Sequence, residues 1–419
     1  MVNRTNVPTA RQLEFLSWEF GVFFHFGIRT FYPGREDWDG KPMPPEAFCP
    51  PALDCDQWCR TAARAGGRYA IMTAKHHDGF ANWPTAYSDY SIARAPWQGG
   101  RGDVVRDFTG ACRRHGLKVG LYYSPADQVF ISRKLTAQEY DERFIGQLGE
   151  LLQNYGKIDY LWFDGCGSGG YKYDTGRIMA AIRAMQPEIV TFHMWDPDTI
   201  WVGNEEGYAP FDNPLRRTEE EYNRVYQPTD GPIDRDNRLL PAECDFRMRE
   251  RTWFICQDDA HTVKSVDELM GVYDCSVGRG SNFLINVGPD ASGRLAGPDA
   301  ARLLEFGDAL RRRFARPVAA FGPLEAGEGG EIRLPLPGKQ PVNCVVLEED
   351  LARGQRVREF AVHVHAGPRV QVYWGKTIGH KAICAFPTVR GDCVTVEVLQ
   401  SDGPAGLRGA QVYYQGRDW

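Results

Sequence analysis

The sequence predicts an α/β fold, a (β/α)8-like TIM barrel followed by a C-terminal antiparallel β-sandwich, and three observations predict it. Short β-branched and aromatic runs alternate with helix-spaced segments from the N-terminus to about residue 314. Eight such runs can be counted, the number a closed parallel barrel needs. Beyond Arg316-Pro317 the helical spacing stops, and only short alternating runs between Gly- and Pro-containing turns remain. The predicted domains are therefore 1–314, a barrel that carries the chemistry, and 315–419, a sandwich.

In chain order, the predicted barrel strands are 21–27, 69–73, 118–123, 157–165, 188–192, 199–202, 252–255 and 282–287. Between them, Phe144, Leu148, Leu151, Leu152 and Tyr155 recur at helical spacing, as do Ile178, Ala181, Ile182 and Met185. The first set predicts a helix over 136–155 stopped by Gly156; the second predicts one over 174–186 stopped by Pro187. Strand, helix, strand in this order implies right-handed βαβ units. Residues 204–250 break the rhythm, being polar, charged and aperiodic, and read as a long loop on the barrel rim. After a last helix-like stretch at 300–314, the tail offers runs at 331–334, 342–347, 359–364, 370–373, 394–398 and 410–414.

Composition narrows the function classes. With 49 basic against 55 acidic residues in 419, the net charge is −6, and no basic run is long enough to track phosphates, so nucleic acid is excluded as a partner. No apolar run reaches 18 residues and the N-terminus lacks the apolar core of a secretory signal, which predicts a soluble, cytoplasmic protein without a membrane partner. The 11 cysteines are scattered; Cys55 and Cys59 sit at CxxxC spacing with no matching pair nearby. Reduced, mostly buried thiols are expected rather than disulfides or a zinc site. Homo-oligomerisation stays open at this level.

The chemistry gathers where strands end. Ile158, Tyr160, Leu161, Trp162 and Phe163 form a buried-strand pattern that delivers Asp164 into a Gly-rich loop. A lone Asp-Gly after a strand ordinarily caps the next turn. Other predicted strands also end in reactive side chains, however, and the C-terminal rim of a barrel is where catalytic groups stand. His25 closes the first strand; His76-His77-Asp78 follows the second; Tyr122 and Tyr123 close the third. A lone histidine in an aromatic strand is usually a satisfied core residue, and the His-His-Asp run lacks helical metal-ligand spacing, so hydrogen bonding to a polyhydroxylated ligand is the better reading. Trp162 and Asp164 are two apart and so share a face. An aromatic plate beside a carboxylate suits a sugar ring, and among the tryptophans Trp38 and Trp162 are assigned to the site. Two-carboxylate glycoside chemistry needs a partner for Asp164. Glu205 and Glu206 are the nearest suppliers, Glu243 competes, and spacing alone does not choose.

These residues resemble glycoside hydrolase family 29, the retaining α-L-fucosidases. The likeness rests on Phe23-Phe24-His25-Phe26-Gly27, Lys75-His76-His77-Asp78-Gly79-Phe80, Leu121-Tyr122-Tyr123-Ser124-Pro125, Trp162-Phe163-Asp164-Gly165 and the run from Ser276 to Asn286, all in family order. The resemblance implies Asp164 as nucleophile, His25, His76, His77, Tyr122 and Trp162 as contacts to fucose, Trp38 as a further wall, and no metal or organic cofactor. The stretch Asp198-Thr199-Ile200-Trp201-Val202-Gly203-Asn204-Glu205 resembles the subfamily that prefers α-1,3/1,4-linked fucose on branched glycans. In that subfamily the Glu of Gly-Asn-Glu is the acid/base, which favours Glu205. The implied substrate is a fucosylated oligosaccharide or glycoconjugate. Alternatives are a fucosidase of broader or α-1,2/α-1,6 range and an inactive fucose-binding protein. Three departures from the family pattern bear on the aglycone: Glu36-Asp37-Trp38-Asp39 in place of Glu-Trp-Gly, Pro125-Ala126-Asp127-Gln128 in place of Pro-Trp-Asp-Arg, and Asp198-Thr199-Ile200-Trp201 in place of Asp-Ile-Arg-Trp.

Overall fold

The computed structural model describes residues 7–32, 36–37, 39, 41, 43–164, 171–217, 238–327 and 330–416. Its first part is the predicted barrel. The strands are β1 (Phe20–Phe24), β2 (Tyr69–Lys75), β3 (Lys118–Tyr123), β4 (Tyr160–Phe163), β5 (Val190–Phe192), β6 (Ile200–Trp201), β9 (Ala242–Arg247) and β10 (Asn282–Asn286). They run in the order β5-β4-β3-β2-β1-β10-β9-β6, and every pairing is parallel. A single parallel bridge, Phe192 to Thr199, spans the seam between β5 and β6. Two short strands, β7 (Arg216–Arg217) and β8 (Arg238–Leu239), form a separate antiparallel ribbon.

The helices are α1 (Ala10–Trp18), α2 (Cys55–Ala65), α3 (Val104–Arg114), α4 (Gln128–Ser132), α5 (Ala137–Asn154), α6 (Thr175–Met185), α7 (Val266–Ser276) and α8 (Gly297–Arg313). Side-chain oxygens start most of them: Asp54, Asp103, Asp127, Thr136, Asp174 and Ser265 each accept a backbone N–H of the first turn. Helix α5 stops before Gly156, whose φ of +72° is a conformation that glycine adopts without strain.

Alternation along each strand sorts side chains into two sets. Outward residues such as Val22, Phe24, Met72, Leu121, Leu161 and Phe163 pack under the helices. Inward residues Phe23, Tyr69, Ile71, Tyr122, Tyr160, Trp162, Val190, Phe192 and Leu284 fill the barrel itself, joined by Phe15 and Trp18 of α1. The ring of Phe15 lies 5.4 Å from that of Tyr160, and Trp18 lies 5.4 Å from Tyr69, so α1 plugs the mouth opposite the catalytic rim.

Two expectations for the barrel are corrected. Residues 252–255 form a turn rather than the seventh strand, because the N–H groups of Trp253 and Phe254 are taken by the Asp37 carboxylate at 2.9–3.0 Å and not by a neighbouring strand. The strand that fills that place is β9, within the segment read as a rim loop. It escapes a polarity-based reading because it points Glu243 and Asp245, both buried, into the barrel. Between β5 and β6 no helix intervenes. The seam is held instead by buried Asp198, which accepts from Arg11 of α1 at 3.0 Å, Arg183 of α6 at 2.8 Å and the Thr191 N–H at 3.1 Å.

The tail is one antiparallel sheet folded on itself, made of β11 (Ala319–Phe321), β12 (Leu324–Glu325), β13 (Glu331–Glu349), β14 (Val357–His365), β15 (Arg369–Gly375), β16 (Ala382–Ser401) and β17 (Gly406–Tyr413). The long β13 and β16 carry register shifts at their middles. They pair with each other along their length, the second half of β13 also pairs β17, and the second half of β16 also pairs β14, so the two strands run through both layers. The runs expected at 331–334 and 342–347 are thus parts of one strand. The layers share a core of Leu334, Val345, Leu347, Val362, Val394, Val396, Leu407 and Val412. The tail is fixed to the barrel by Arg313 of α8, which donates to Gln415 at 3.0 Å, by Lys381 and His380 on Glu19 at 2.6 and 3.1 Å, and by Tyr413 against Phe314.

Candidate active site

The parallel barrel carries the polar ends of its strands to one rim, and the first four strands build a single cluster there. Asp164 follows β4. It accepts a 2.9 Å hydrogen bond at Oδ2 from the Tyr122 hydroxyl on β3, and His77 Nε2 stands 3.6 Å from the same oxygen. His77 is oriented from behind. Its Nδ1 lies 2.6 Å from Ser124 Oγ, whose own hydrogen goes to the Ala126 carbonyl, so Nδ1 is the donor and Nε2 faces Asp164. His25, immediately after β1, is set the same way. Its Nδ1 meets Asn286 Oδ1 at 2.8 Å, and the Asn286 amide donates to the Trp253 carbonyl at 2.7 Å. His76 stacks on Tyr122 at 5.5 Å and 11°, and its ring centroid is 5.9 Å from that of His25.

Burial keeps these rings neutral. It pushes the His25 pKa down to about 3, with the Asn286 hydrogen bond and the Asp164 charge opposing. His76 is driven well below the ordinary histidine value, first by burial and then by its histidine neighbours. His77 is lowered by burial against the pull of Asp164. With the one N–H of neutral His77 given to Ser124 and that of His25 given to Asn286, each of these rings has Nε2 left as an acceptor for a sugar hydroxyl. The carboxylate and aromatic floor complete the picture: Trp162 stacks on Tyr122 at 5.3 Å and on Phe192 at 4.2 Å.

Glu205 lies past β6 on the same rim. It is exposed and bonds Arg247, at the end of β9, at 2.6 Å. The Arg247 guanidinium lies over Trp253 at 5.2 Å, and Trp253 is 5.0 Å from His25; burial raises the pKa of Asp37, with its backbone hydrogen bonds and then the Arg247 charge opposing. The loop that carries Glu205 is shaped by its neighbours. Gly203 takes φ +98°, and Asn204 Oδ1 accepts from the Glu206 and Tyr208 N–H groups at 3.1 and 3.3 Å. Glu206 is exposed and forms a backbone bridge to Phe246. Glu243 is elsewhere: it is fully buried inside the barrel beneath Trp162.

The structure therefore brings His25, His76, His77, Tyr122, Trp162 and Asp164 together and sets Glu205 on the neighbouring arc. Trp38 lies outside the described residues, although Asp37 and Asp39 on either side are pinned to the Trp253 turn and to Arg29. Asp127, which the Pro-Ala-Asp-Gln run keeps in common with the family pattern, is a buried counter-ion. It caps α4 and pairs with the equally buried Lys75 at 2.8 Å, and Lys75 also reaches the Tyr123 hydroxyl. Sequence reasoning missed Arg247, Trp253, Asn286 and His193. The last follows β5 at φ +68°, and its pKa is held at about 4 by burial while the Asp164 charge opposes. The signal for His193 and Asn286 was present, since both sit at the end of a predicted strand. Arg247 became visible only with β9. Among the described residues no three His, Cys, Asp or Glu side chains converge as a metal site.

Comparison with known proteins supplies the activity. Residues 5–313 match the family model described as Alpha-L-fucosidase. Over 427 residues the chain is 32% identical to alpha-L-fucosidase 1 of Arabidopsis thaliana, covering 91% of this chain and 82% of that one. A crystal structure of a glycoside hydrolase 29 family member from an unknown rumen bacterium is similar with a TM-score of 0.88 at 31% identity, over 98% of this chain and 78% of that one. A Ruminococcus gnavus GH29 fucosidase solved in complex with fucose shares the fold, with a TM-score of 0.83 at 24% identity over 98% of this chain and 95% of that one. With the family model spanning the whole barrel, the chain belongs to the alpha-L-fucosidase family, glycoside hydrolase family 29, and is a glycoside hydrolase of that activity.

Proposed function

We propose that the enzyme is a retaining exo-α-L-fucosidase that removes terminal fucose, α-1,3/1,4-linked in Lewis-type glycans, through a covalent fucosyl-enzyme. In this reading Asp164 attacks the anomeric carbon while Glu205 protonates the departing oxygen. Water, deprotonated by Glu205, then releases fucose with its configuration kept. The observation that carries the reading is the setting of Asp164, a half-buried carboxylate at a strand end, aimed by the Tyr122 hydroxyl at 2.9 Å and flanked by neutral histidines. His25, His76 and His77 are assigned to the sugar hydroxyls, Trp162 to the ring face and Trp38 to a further wall.

Three observations support Glu205 over its rivals as acid/base. It stands on the rim with an exposed carboxylate whose partner, Arg247, the glycan can displace on entry. The backbone of Glu206 is drawn into a bridge with Phe246, while all the hydrogen bonds of Glu243 lie inside the barrel. The linkage preference rests on the Gly203-Asn204-Glu205 likeness and on the Asn204 turn that shapes this loop.

Proton NMR of the first-formed fucose tests the stereochemistry, and a panel of oligosaccharides differing only in linkage tests the range. The α anomer and selective release from α-1,3/1,4 linkages are expected. A β anomer would mean inversion, and equal release from α-1,2 or α-1,6 linkages would favour the broader enzyme.

A further inference from the structure

Glu243 has no task in the chemistry above, yet it occupies the middle of the barrel. Its carboxylate is fully buried, and among the described residues no Lys, Arg or His pairs with it. Burying a carboxyl group without a cation is costly, and the surrounding positions are filled by aromatic and aliphatic side chains. What the carboxylate does is accept three hydrogen bonds. Tyr69 donates to Oε2 at 2.5 Å; Tyr160 and Trp162 donate to Oε1 at 3.1 and 2.9 Å. Room for Tyr69 is made by Gly21 of β1, where a Cβ would lie 2.3 Å from the phenol ring.

The three donors are not equivalent. A phenol hydroxyl can turn, and that of Tyr160 also lies 3.2 Å from Thr199 Oγ1. The indole N–H cannot turn without the ring, so its bond to Glu243 sets the plane of Trp162. That plane is stacked on Tyr122 at 22°, and Tyr122 holds Asp164. We propose that Glu243 is a positioning residue for the fucosidase reaction: by accepting the Trp162 N–H from beneath, it orients the Trp162–Tyr122 stack against which the sugar ring and the Asp164 carboxylate are aligned. This rests on Asp164 as nucleophile and Trp162 as a wall of the fucose site.

A pH dependence follows from the donor count. The ionised carboxylate accepts from all three donors, whereas the protonated acid must direct its own hydrogen to one of them and loses an acceptor. Burial lifts the Glu243 pKa up to about 7, with its three hydrogen bonds opposing. Facing it are Tyr69 of β2, Tyr160 and Trp162 of β4, Thr199 at the β5–β6 seam, Asn282 beside it on β10, and Asp245 and Cys244 on its own strand. Burial pushes both tyrosines well above their ordinary value, so they stay protonated across neutrality, and it raises Asp245 as well. Alignment should therefore loosen as pH falls through about 7.

The test uses Glu243→Gln, whose amide imitates the protonated acid, together with Trp162→Phe and the double variant in the full chain. KM and kcat for a fucosylated trisaccharide and the inhibition constant of free L-fucose are measured between about pH 5.5 and 8. Glu243→Gln should raise KM and the L-fucose constant about tenfold, leave kcat within about threefold, and abolish the wild-type rise in KM toward acid. Trp162→Phe should give the same loss, and the double variant should be no worse than either single one. Fully additive effects, an unchanged L-fucose constant, or a wild-type pH dependence of KM in Glu243→Gln would overturn the proposal. If Glu243→Gln does not fold, Trp162→Phe decides alone, since it too should lose the pH dependence, and keeping it would overturn the proposal. Asp164→Asn runs alongside: turnover retained there breaks the nucleophile reading, whatever Glu243 does.

Discussion

The two arcs of the barrel are built differently. From β1 to β4 each strand is joined to the next through helices, the strands run to 5, 7, 6 and 4 residues, and their ends supply His25, His76, His77, Tyr122 and Asp164. From β5 through β6 the strands shrink to 3 and 2 residues, no helix separates them, and the connection to β9 is a long excursion. The rim group there is the exposed Glu205–Arg247 pair. Regular βα repeats hold side chains on stiff strand ends, whereas irregular connections tolerate exchange of partners. The difference teaches a division of labour under the proposed reading. The regular arc grips the fucosyl ring, which is the same in every substrate. The irregular arc meets the leaving group, which varies.

The most severe test of that division falls on the regular arc. Asp164→Asn should lower turnover about 10⁴-fold while still binding L-fucose by calorimetry; turnover within tenfold of wild type would remove bond cleavage from this arc. Beneath it lies the buried Lys75–Asp127 pair. Lys75→Met strands Asp127 without its cation and should cost about 3–5 kcal/mol in denaturant unfolding. A loss under about 1 kcal/mol would mean that the rim does not rest on the pair.

On the irregular arc, Glu205→Ala should lose about 10²–10³-fold in turnover. Azide should restore part of it and yield a fucosyl azide, since the small anion needs no general base. Rescue seen only in Glu243→Ala would transfer the acid/base role to the barrel interior and erase the contrast.

The smallest expected effect concerns acid stability. His25 and His193 are held at about 3 and about 4 in the folded chain, against about 6.5 when unfolded, and His76 and His77 are also lowered. Between those values the unfolded chain binds the protons that the folded chain refuses. Stability from these rings is therefore full above pH 6.5 and declines as pH falls toward 4. His25 and His193 each contribute about 1.4 kcal/mol per pH unit in that window. Urea midpoints should accordingly fall less steeply with acid in His193→Asn than in the wild type; parallel curves would show that His193 is not held neutral.

Legibility in the sequence followed the same division. Asp164, Trp162, Tyr122 and the histidines could be read because their strands are apolar runs with polar ends, and such a run has one burial solution. Strand β9 could not, because Ala242-Glu243-Cys244-Asp245-Phe246-Arg247 places its charges at the inward positions, and a buried acid becomes intelligible only beside its donors. The turn at 252–255 was mistaken for a strand for the converse reason: its apolar side chains imitate one, while its N–H groups belong to Asp37.

By itself the sequence determined the class of fold, the β1–β4 cluster and the family, all of which depend on local periodicity and on motifs of adjacent residues. Only the tertiary structure decided that Arg247 meets Glu205, that Asp127 serves Lys75, and that Glu243 lies beneath the site while Glu205 stands on the rim. Those pairings join residues far apart in the chain, and their energies depend on burial and distance, which no stretch of sequence carries alone.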